Sequence, residues 1–170
     1  MEAAQEFYET APFSTRWYGT PRRYVEQARS EGADVLLEIE VKGARKLKSH
    51  PLFPPFTSAF ILPPDRNQQI LRLYGRKQND PRDLRNRVEE APEEIRQYRM
   101  YDYVVVNRAG RAREAAETLF RIFEGVERRQ EPSTIKRKVA AILATYNRKK
   151  EFNSRHGCKE PAHFNPRDSG

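Results

Sequence analysis

The sequence of 170 residues is poor in cysteine and in long apolar runs. Its single cysteine, Cys158, excludes an internal disulfide and favours a reducing compartment, so we expect a cytoplasmic location. No stretch approaches the roughly 18 apolar residues that a membrane span needs, and no apolar run follows the first residues, so neither a membrane nor a secretory role is expected. Hydrophobic residues are only 37% of the chain, which predicts that part of it is a solvated tail.

The excess of positive charge lies near one end of the sequence. The formal net charge is +8, and residues 128–170 contain 11 basic and 4 acidic residues. Residues 1–127 are close to neutral, with 21 basic and 20 acidic residues. Electrostatic binding to nucleic acid is therefore a hypothesis for the basic C-terminal region alone, and a helix with a solvated basic side is the alternative.

Short apolar runs alternate with helical patterns along the chain. Buried strands are predicted where branched apolar residues form brief runs, at residues 34–40, 58–62 and 103–106. Helices are predicted at residues 20–32, 43–48, 65–73, 82–98, 112–126 and 134–148. Strands that alternate with helices are typical of an α/β fold with a parallel sheet.

Local signals predict the ends and the buried faces of several helices. Thr20 is expected to cap the first helix, with Pro21 at its first position and Gly32 at its end. The 112–126 helix is expected to face the core with Ala116, Leu119, Phe120 and Phe123. Beyond a domain at residues 1–128, we expect a basic amphipathic helix at residues 129–149 and disorder at residues 150–170.

Six short strings occur in the order and with the spacing of one enzyme family. They are Phe7-Tyr-Glu9, Arg16-Trp-Tyr-Gly-Thr20, Val35-Leu-Leu-Glu-Ile-Glu-Val-Lys-Gly-Ala-Arg45, Ile61-Leu-Pro-Pro64, Gly75-Arg76 and Tyr101-Asp-Tyr-Val-Val-Val-Asn107. Together they resemble guanylate kinases of the bacterial type over about residues 1–128. The resemblance implies the parallel-sheet fold of P-loop nucleoside monophosphate kinases. It also implies phosphoryl transfer from ATP to GMP, giving ADP and GDP, with Mg²⁺ bound to ATP.

The resemblance implies a GMP-binding part in about residues 1–20. Glu9 would bind the guanine edge, and Tyr18 and Thr20 would hold the GMP phosphate. Glu40, where the family usually has aspartate, would lie near the metal and the guanine. The Glu9 carboxylate is chemically suited to bind the guanine edge, because it can accept hydrogen bonds from both N1–H and N2–H of guanine. The alternatives are an ordinary exposed carboxylate at Glu9 and a packing aromatic at Tyr18.

Three arginines match the spacing of the family's catalytic arginines, with a lid at about residues 75–88. They are Arg72, Arg76 and Arg87, and the resemblance also assigns ATP contacts to Arg72, Arg76 and Asn107. Planar guanidinium groups bind phosphate oxygens in pairs and stabilise the charge of phosphoryl transfer, although a solvated basic face is the alternative. No dedicated metal site is expected, since the tail offers only His156, Cys158 and His163.

The family's phosphate-binding string, Gly-x-x-x-x-Gly-Lys-Ser/Thr, does not occur in this sequence. None of its eight glycines begins such a string, which cradles the ATP phosphates. The resemblance implies that the first, central strand is absent too, together with a serine, two arginines and a tyrosine of the GMP site. We therefore expect an N-terminally truncated kinase that is impaired or inactive, with strand edges left unpaired.

Two hypotheses about function stay open. The first is an incomplete guanylate kinase with GMP and ATP as its substrates. In that case the unpaired strand edges would be covered either by a complementing N-terminal segment or by a second copy of the chain. The second is a non-catalytic guanylate-kinase-like module that binds GMP or a phosphorylated partner. Fold alone does not decide between the two hypotheses, because related folds carry different functions.

Overall fold

The computed structural model describes residues 6–13, 16–75 and 81–156 as alternating short strands and helices. The strands are β1 (Phe7–Phe13), β2 (Arg16–Pro21), β3 (Ala59–Leu62) and β4 (Tyr103–Val106). The helices are α1 (Arg22–Ser30), α2 (Val41–Ser49), α3 (Arg66–Gly75), α4 (Pro81–Arg96), α5 (Ala112–Phe123) and α6 (Pro132–His156), with a 3-10 turn at Gln97–Met100. The chain divides into two compact units, Met1–Phe56 and Thr57–Gly170.

The first unit is built on an antiparallel hairpin of β1 and β2, which the apolar pattern of the sequence did not predict. Across this hairpin Glu9 pairs with Thr20 and Thr10 pairs with Gly19. The unit has a small core, in which the buried residues are Tyr8, Val25 and Leu47 and the half-buried ones Leu37, Ile39 and Phe53. The core therefore joins the hairpin to α1 and α2.

Helix α1 ends as predicted but begins differently. Its N-cap is Pro21, which makes no side-chain capping bond, so the predicted cap at Thr20 is wrong. The Thr20 hydroxyl donates to Glu9 instead. At the other end Gly32 has a φ of 77°, a left-handed conformation that glycine adopts without steric strain. Its N–H donates to the Arg29 carbonyl, which closes the helix.

The predicted strand at residues 34–40 is wrong. This segment pairs with no strand in the described part of the chain. Leu37 and Ile39 pack against the core of the first unit, whereas Val35 is exposed and Leu36 is 74% exposed. A strand needs a neighbour for its backbone N–H and C=O groups, and an apolar run alone does not provide one.

The second unit contains a two-stranded parallel sheet of β3 and β4. The register pairs Ala59 with Tyr103 and Leu62 with Val106, which confirms the strand predicted at 103–106 and most of the one at 58–62. Asp102 Oδ2 holds the start of both strands, because it accepts hydrogen bonds from the Ser58 backbone N–H at 2.9 Å and from the Ser58 hydroxyl at 2.6 Å. The α/β class with a parallel sheet is therefore confirmed.

Each face of this sheet packs on a separate set of helices. Towards α4 and α6, the buried core residues are Leu62, Ala91, Ile95, Val104, Val139, Ile142 and Tyr146. Towards α5, the buried residues are Val105, Ala115 and Ile122. Pro92 lies inside α4 without interrupting it. No helix in the described ranges is long and apolar enough to cross a membrane.

Helix α5 packs on the core with Leu119, as predicted, but not with the other three predicted residues. Ala115 and Ile122 are buried and Leu119 is half-buried, whereas Phe120 and Phe123 are more than half exposed and Ala116 is exposed. Ala116 and Phe123 each follow a buried residue by one position, which places them about 100° further round the helix.

Helix α6 continues to His156, whereas the sequence predicted disorder from residue 150. Residues 76–80 of the predicted lid lie outside the described part of the chain.

Candidate functional site

Glu9 is a buried carboxylate on the hairpin of the first unit, not the exposed surface group of the alternative interpretation. The residue is 8% exposed and Thr20, its partner across the hairpin, is 5% exposed. The Thr20 hydroxyl donates to Glu9 Oε1 over 2.9 Å. A buried carboxylate is unfavourable unless it is hydrogen-bonded. The hairpin register places Thr20 opposite Glu9 and so provides the donor that stabilises the carboxylate.

The Glu9 carboxylate lies against the first turn of α2. Gly43, the third residue of that helix, is buried, and a Cβ added to it would lie 3.1 Å from Glu9 Oε2. The first turn of a helix has backbone N–H groups without intrahelical partners and the positive end of the helix dipole. This position therefore favours a negative charge, and three elements, β1, β2 and α2, hold the carboxylate.

Glu40 brings a second carboxylate to the same end of α2. It is the N-cap residue of the helix, but its side chain makes no capping bond. Its Oε1 is shielded from solvent and has no hydrogen-bond partner among the residues that the structure describes. A shielded oxygen without a donor is energetically unfavourable, so Glu40 is suited to accept a hydrogen bond from a ligand.

Tyr18 shares a face of the hairpin with Thr20, because side chains two residues apart on a strand point to the same side. Unlike Thr20, Tyr18 is more than half exposed. The structure thus brings together the predicted site residues Glu9, Tyr18 and Thr20 on one hairpin face. The family resemblance implied that Thr20 and Tyr18 both hold the phosphate, but in the structure the Thr20 hydroxyl contacts the Glu9 carboxylate.

A polar contact next to Glu9 ties β1 to α1. The Tyr8 hydroxyl donates to Glu26 Oε1 at 3.1 Å, and Arg22 Nε donates to the same oxygen at 2.6 Å. The hydrogen bond from Arg22 lowers the pKa of Glu26. The pKa of Tyr8 is raised, mainly by burial and also by its hydrogen bond to Glu26. These hydrogen bonds hold Tyr8, which precedes Glu9 on β1, against α1. The local sequence pattern did not predict them.

In the second unit, Arg72 and Asn107 lie together at the carboxyl end of the parallel sheet. Arg72 Nη2 donates to the Asn107 carbonyl over 2.7 Å, and the Asn107 N–H donates to the Leu62 carbonyl at 2.9 Å. Asn107 Oδ1 is shielded and has no partner among the described residues. Ligands of open α/β sheets bind at this end of the strands, so this pair is a candidate ligand-binding position within the second unit.

Of the other two predicted arginines, the structure describes Arg87 but not Arg76. Arg87 lies on α4, is half-buried and interacts with another group of the protein. Arg76 lies outside the described residues. Within the described ranges, no group of three or more His, Cys, Asp or Glu side chains could hold a metal ion.

Comparison with known proteins identifies the family. A family model described as guanylate kinase matches residues 1–125, and the chain belongs to this family. It is 41% identical over 105 residues to a guanylate kinase from Symbiobacterium thermophilum, covering 62% of this chain and 49% of that protein. It is 45% identical over 101 residues to a guanylate kinase from Thermus thermophilus, covering 59% and 45%. The chain thus spans about half the length of these relatives.

The fold is also that of a solved guanylate kinase. The crystal structure of guanylate kinase from Anaplasma phagocytophilum matches with a TM-score of 0.53 over 92% of this chain and 69% of the other, at 24% identity. At this identity the match supports the fold and not the function of individual residues. It agrees with the α/β architecture and the parallel pairing of β3 with β4.

Proposed function

We propose that the first unit binds GMP, with Glu9 as the acceptor for the guanine edge, and that the protein acts as a guanylate kinase in phosphoryl transfer from ATP to GMP. The observation that carries the proposal is the buried Glu9 carboxylate, hydrogen-bonded by Thr20 and set against the start of α2. Family membership supports the reaction class.

The hydrogen-bonding pattern of guanine explains the choice of a carboxylate. Guanine presents two adjacent donors, N1–H and N2–H, and one carboxylate offers two adjacent acceptors. Adenine presents an acceptor at N1, so AMP would leave the carboxylate facing another lone pair. A site built around specific hydrogen bonds rejects a ligand that cannot make them. Glu40, with its unpartnered Oε1, is a second acceptor for the same base.

Phosphate recognition falls to the exposed and cationic groups. Tyr18 would donate its hydroxyl to the GMP phosphate, and its exposed side chain is accessible to a ligand. Arg72, Arg76 and Arg87 would stabilise the negative charge that develops on the phosphate oxygens during phosphoryl transfer, and Arg72, Arg76 and Asn107 would contact ATP. Guanylate kinases use ATP with Mg²⁺, which neutralises phosphate charge.

A second function shares the GMP site but not the chemistry. The phosphate-binding string does not occur in the 170 residues, so these residues alone offer the ATP phosphates no such cradle. This favours a module that binds GMP, or a phosphorylated partner, without transferring phosphate. Both proposals require GMP to bind, and they differ only in whether ADP and GDP are formed.

Calorimetry with the 170-residue protein tests the shared part of the proposals. GMP is expected to release measurable heat, whereas AMP is not. Glu9→Gln should weaken GMP binding by about 10- to 100-fold, because hydrogen bonds to a charged group contribute about 1.5–3 kcal/mol. Glu38→Gln is the matched control, since Glu38 is exposed on the segment that leads to Glu40. No heat from GMP with the wild-type protein would overturn both proposals.

Product analysis separates the two functions. The protein is incubated with ATP, GMP and Mg²⁺, and ADP and GDP are measured by ion-exchange chromatography. Formation of both products in equal amounts supports the kinase. Binding of GMP without formation of GDP supports the module and contradicts a kinase activity of these 170 residues.

A further inference from the structure

Gly43 faces the carboxylate that the proposed function assigns to guanine. We propose that Gly43 is a positioning residue, whose lack of a side chain lets the Glu9 carboxylate occupy the place from which it selects guanine. The inference rests on the proposed GMP site and adds a residue that determines its selectivity. It predicts that a single methyl group at residue 43 changes the choice between purine nucleotides.

The Glu9 carboxylate lies nearest to the position that a Cβ would occupy at Gly43. A Cβ built on Gly43 would lie 3.1 Å from Glu9 Oε2, 3.4 Å from Cδ and 3.7 Å from Oε1. All three nearest atoms belong to this one carboxylate. An alanine would therefore press on Glu9 alone, and the side chain would have to move by a few tenths of an ångström.

Backbone conformation does not explain a glycine at this position. Gly43 lies inside α2, and the described glycines with positive φ are Gly32, Gly110 and Gly125. In a right-handed helix alanine is the better residue, because glycine loses more conformational freedom on folding. The close approach of Glu9 is the feature of this position that opposes alanine.

The carboxylate cannot easily retreat from an added methyl group. Glu9 is 8% exposed, and the Thr20 hydroxyl holds Oε1 at 2.9 Å. Interiors are closely packed, so a displaced side chain must strain its neighbours or lose this hydrogen bond. A shift that is harmless for one hydrogen bond is more serious for a pair, because two parallel bonds to N1–H and N2–H must stay aligned together.

Nucleotide selectivity provides the first test. Dissociation constants of GMP and IMP, which lacks the exocyclic amine, are measured for wild-type protein, Gly43→Ala and Ser49→Ala. Gly43→Ala should weaken GMP binding about tenfold and IMP binding less, so that the GMP preference falls. Ser49→Ala improves helix propensity at the exposed end of α2 and should change neither constant. An unchanged GMP preference in Gly43→Ala overturns the inference.

A second measurement needs no ligand, so failure of the inference can be told from failure of the proposed function. Thermal unfolding is followed for Gly43→Ala in the wild-type and in a Glu9→Ala background. Where the carboxylate is absent, the alanine should raise Tm through its helix propensity. In the wild-type background it should lower Tm or leave it unchanged. The same change of Tm in both backgrounds shows that Gly43 does not act through Glu9.

Discussion

The Thr20 hydroxyl donates a hydrogen bond to Glu9 Oε1 over 2.9 Å, with both side chains more than nine-tenths buried. The local sequence pattern predicted a helix cap at Thr20, and the family resemblance implied that Thr20 holds the GMP phosphate. The structure excludes the cap and places the hydroxyl against the carboxylate. Thr20 and Glu9 are partners in the β1–β2 ladder, so the hairpin backbone brings the donor and the acceptor together.

Removing the Thr20 hydroxyl should therefore weaken both the fold and the GMP site. Thr20→Val keeps the shape of the side chain but leaves a buried carboxylate oxygen without its donor, which costs about 1–3 kcal/mol. Urea unfolding should show this loss, and calorimetry should show weaker GMP binding. Thr20→Ser retains the hydroxyl and serves as the control. Wild-type stability in Thr20→Val would contradict the importance of this hydrogen bond.

Local signals in the sequence were sufficient for several elements. Gly32 ends α1 as expected, because the left-handed conformation depends on the residue itself. The apolar run Tyr103–Val106 is a strand as expected, with Ala59–Leu62 beside it. The run at residues 34–40 has the same character but is not a strand, since pairing depends on a neighbour elsewhere in the chain and not on local sequence.

The candidate site was only partly predictable for the same reason. The resemblance pointed to Glu9, but no local pattern indicated that Thr20 would contact it. Gly43 lies in a string that identified the family, yet its closeness to the carboxylate depends on how α2 packs against β1. Likewise, Arg72 was expected to contact phosphate, and its hydrogen bond to the Asn107 carbonyl was visible only in the structure.

Replacing Arg72 should destabilise the second unit. Arg72→Ala removes a charged donor from the Asn107 carbonyl, a contact at 2.7 Å that is partly buried, so a loss of about 1–2 kcal/mol is expected in urea unfolding. Arg113→Ala is the matched control. Its ion pair with Glu117 is exposed, and such pairs contribute about 0–1 kcal/mol. Equal losses in the two variants would argue against a structural role for the Arg72 contact.

Alkaline conditions should reveal the buried phenol of Tyr146. Burial raises its pKa from 10.0 to about 12, and its hydroxyl donates to Gln69 Oε1 at 2.5 Å. Between these pH values the unfolded chain has lost the phenolic proton and the folded one keeps it, so stability falls as pH rises. The slope for this group is roughly 1.4 kcal/mol per pH unit, and stability is fully retained below pH 10.

Tyr146→Phe isolates that contribution from the other titrating groups. The variant is expected to be less stable than wild type at pH 9, because Gln69 loses its donor. The difference between the two proteins should shrink between pH 10 and pH 11.5, as wild type loses its contribution. Urea unfolding at several pH values measures both curves. Parallel curves across this range would mean that the Tyr146 phenol titrates normally.

Hydrogen exchange should distinguish the unpaired segment at residues 34–40 from the paired strand β4. Val35 and Leu36 lie outside any ladder in the described part of the chain and are exposed, so their amides should exchange almost as fast as in an unfolded peptide. Val104 and Val105 are buried in the parallel sheet, and their amides should exchange at least about 1,000-fold more slowly. Strong protection of residues 34–40 would show that the segment is paired in solution. A dependence of that protection on protein concentration would then identify a second copy of the chain as the partner.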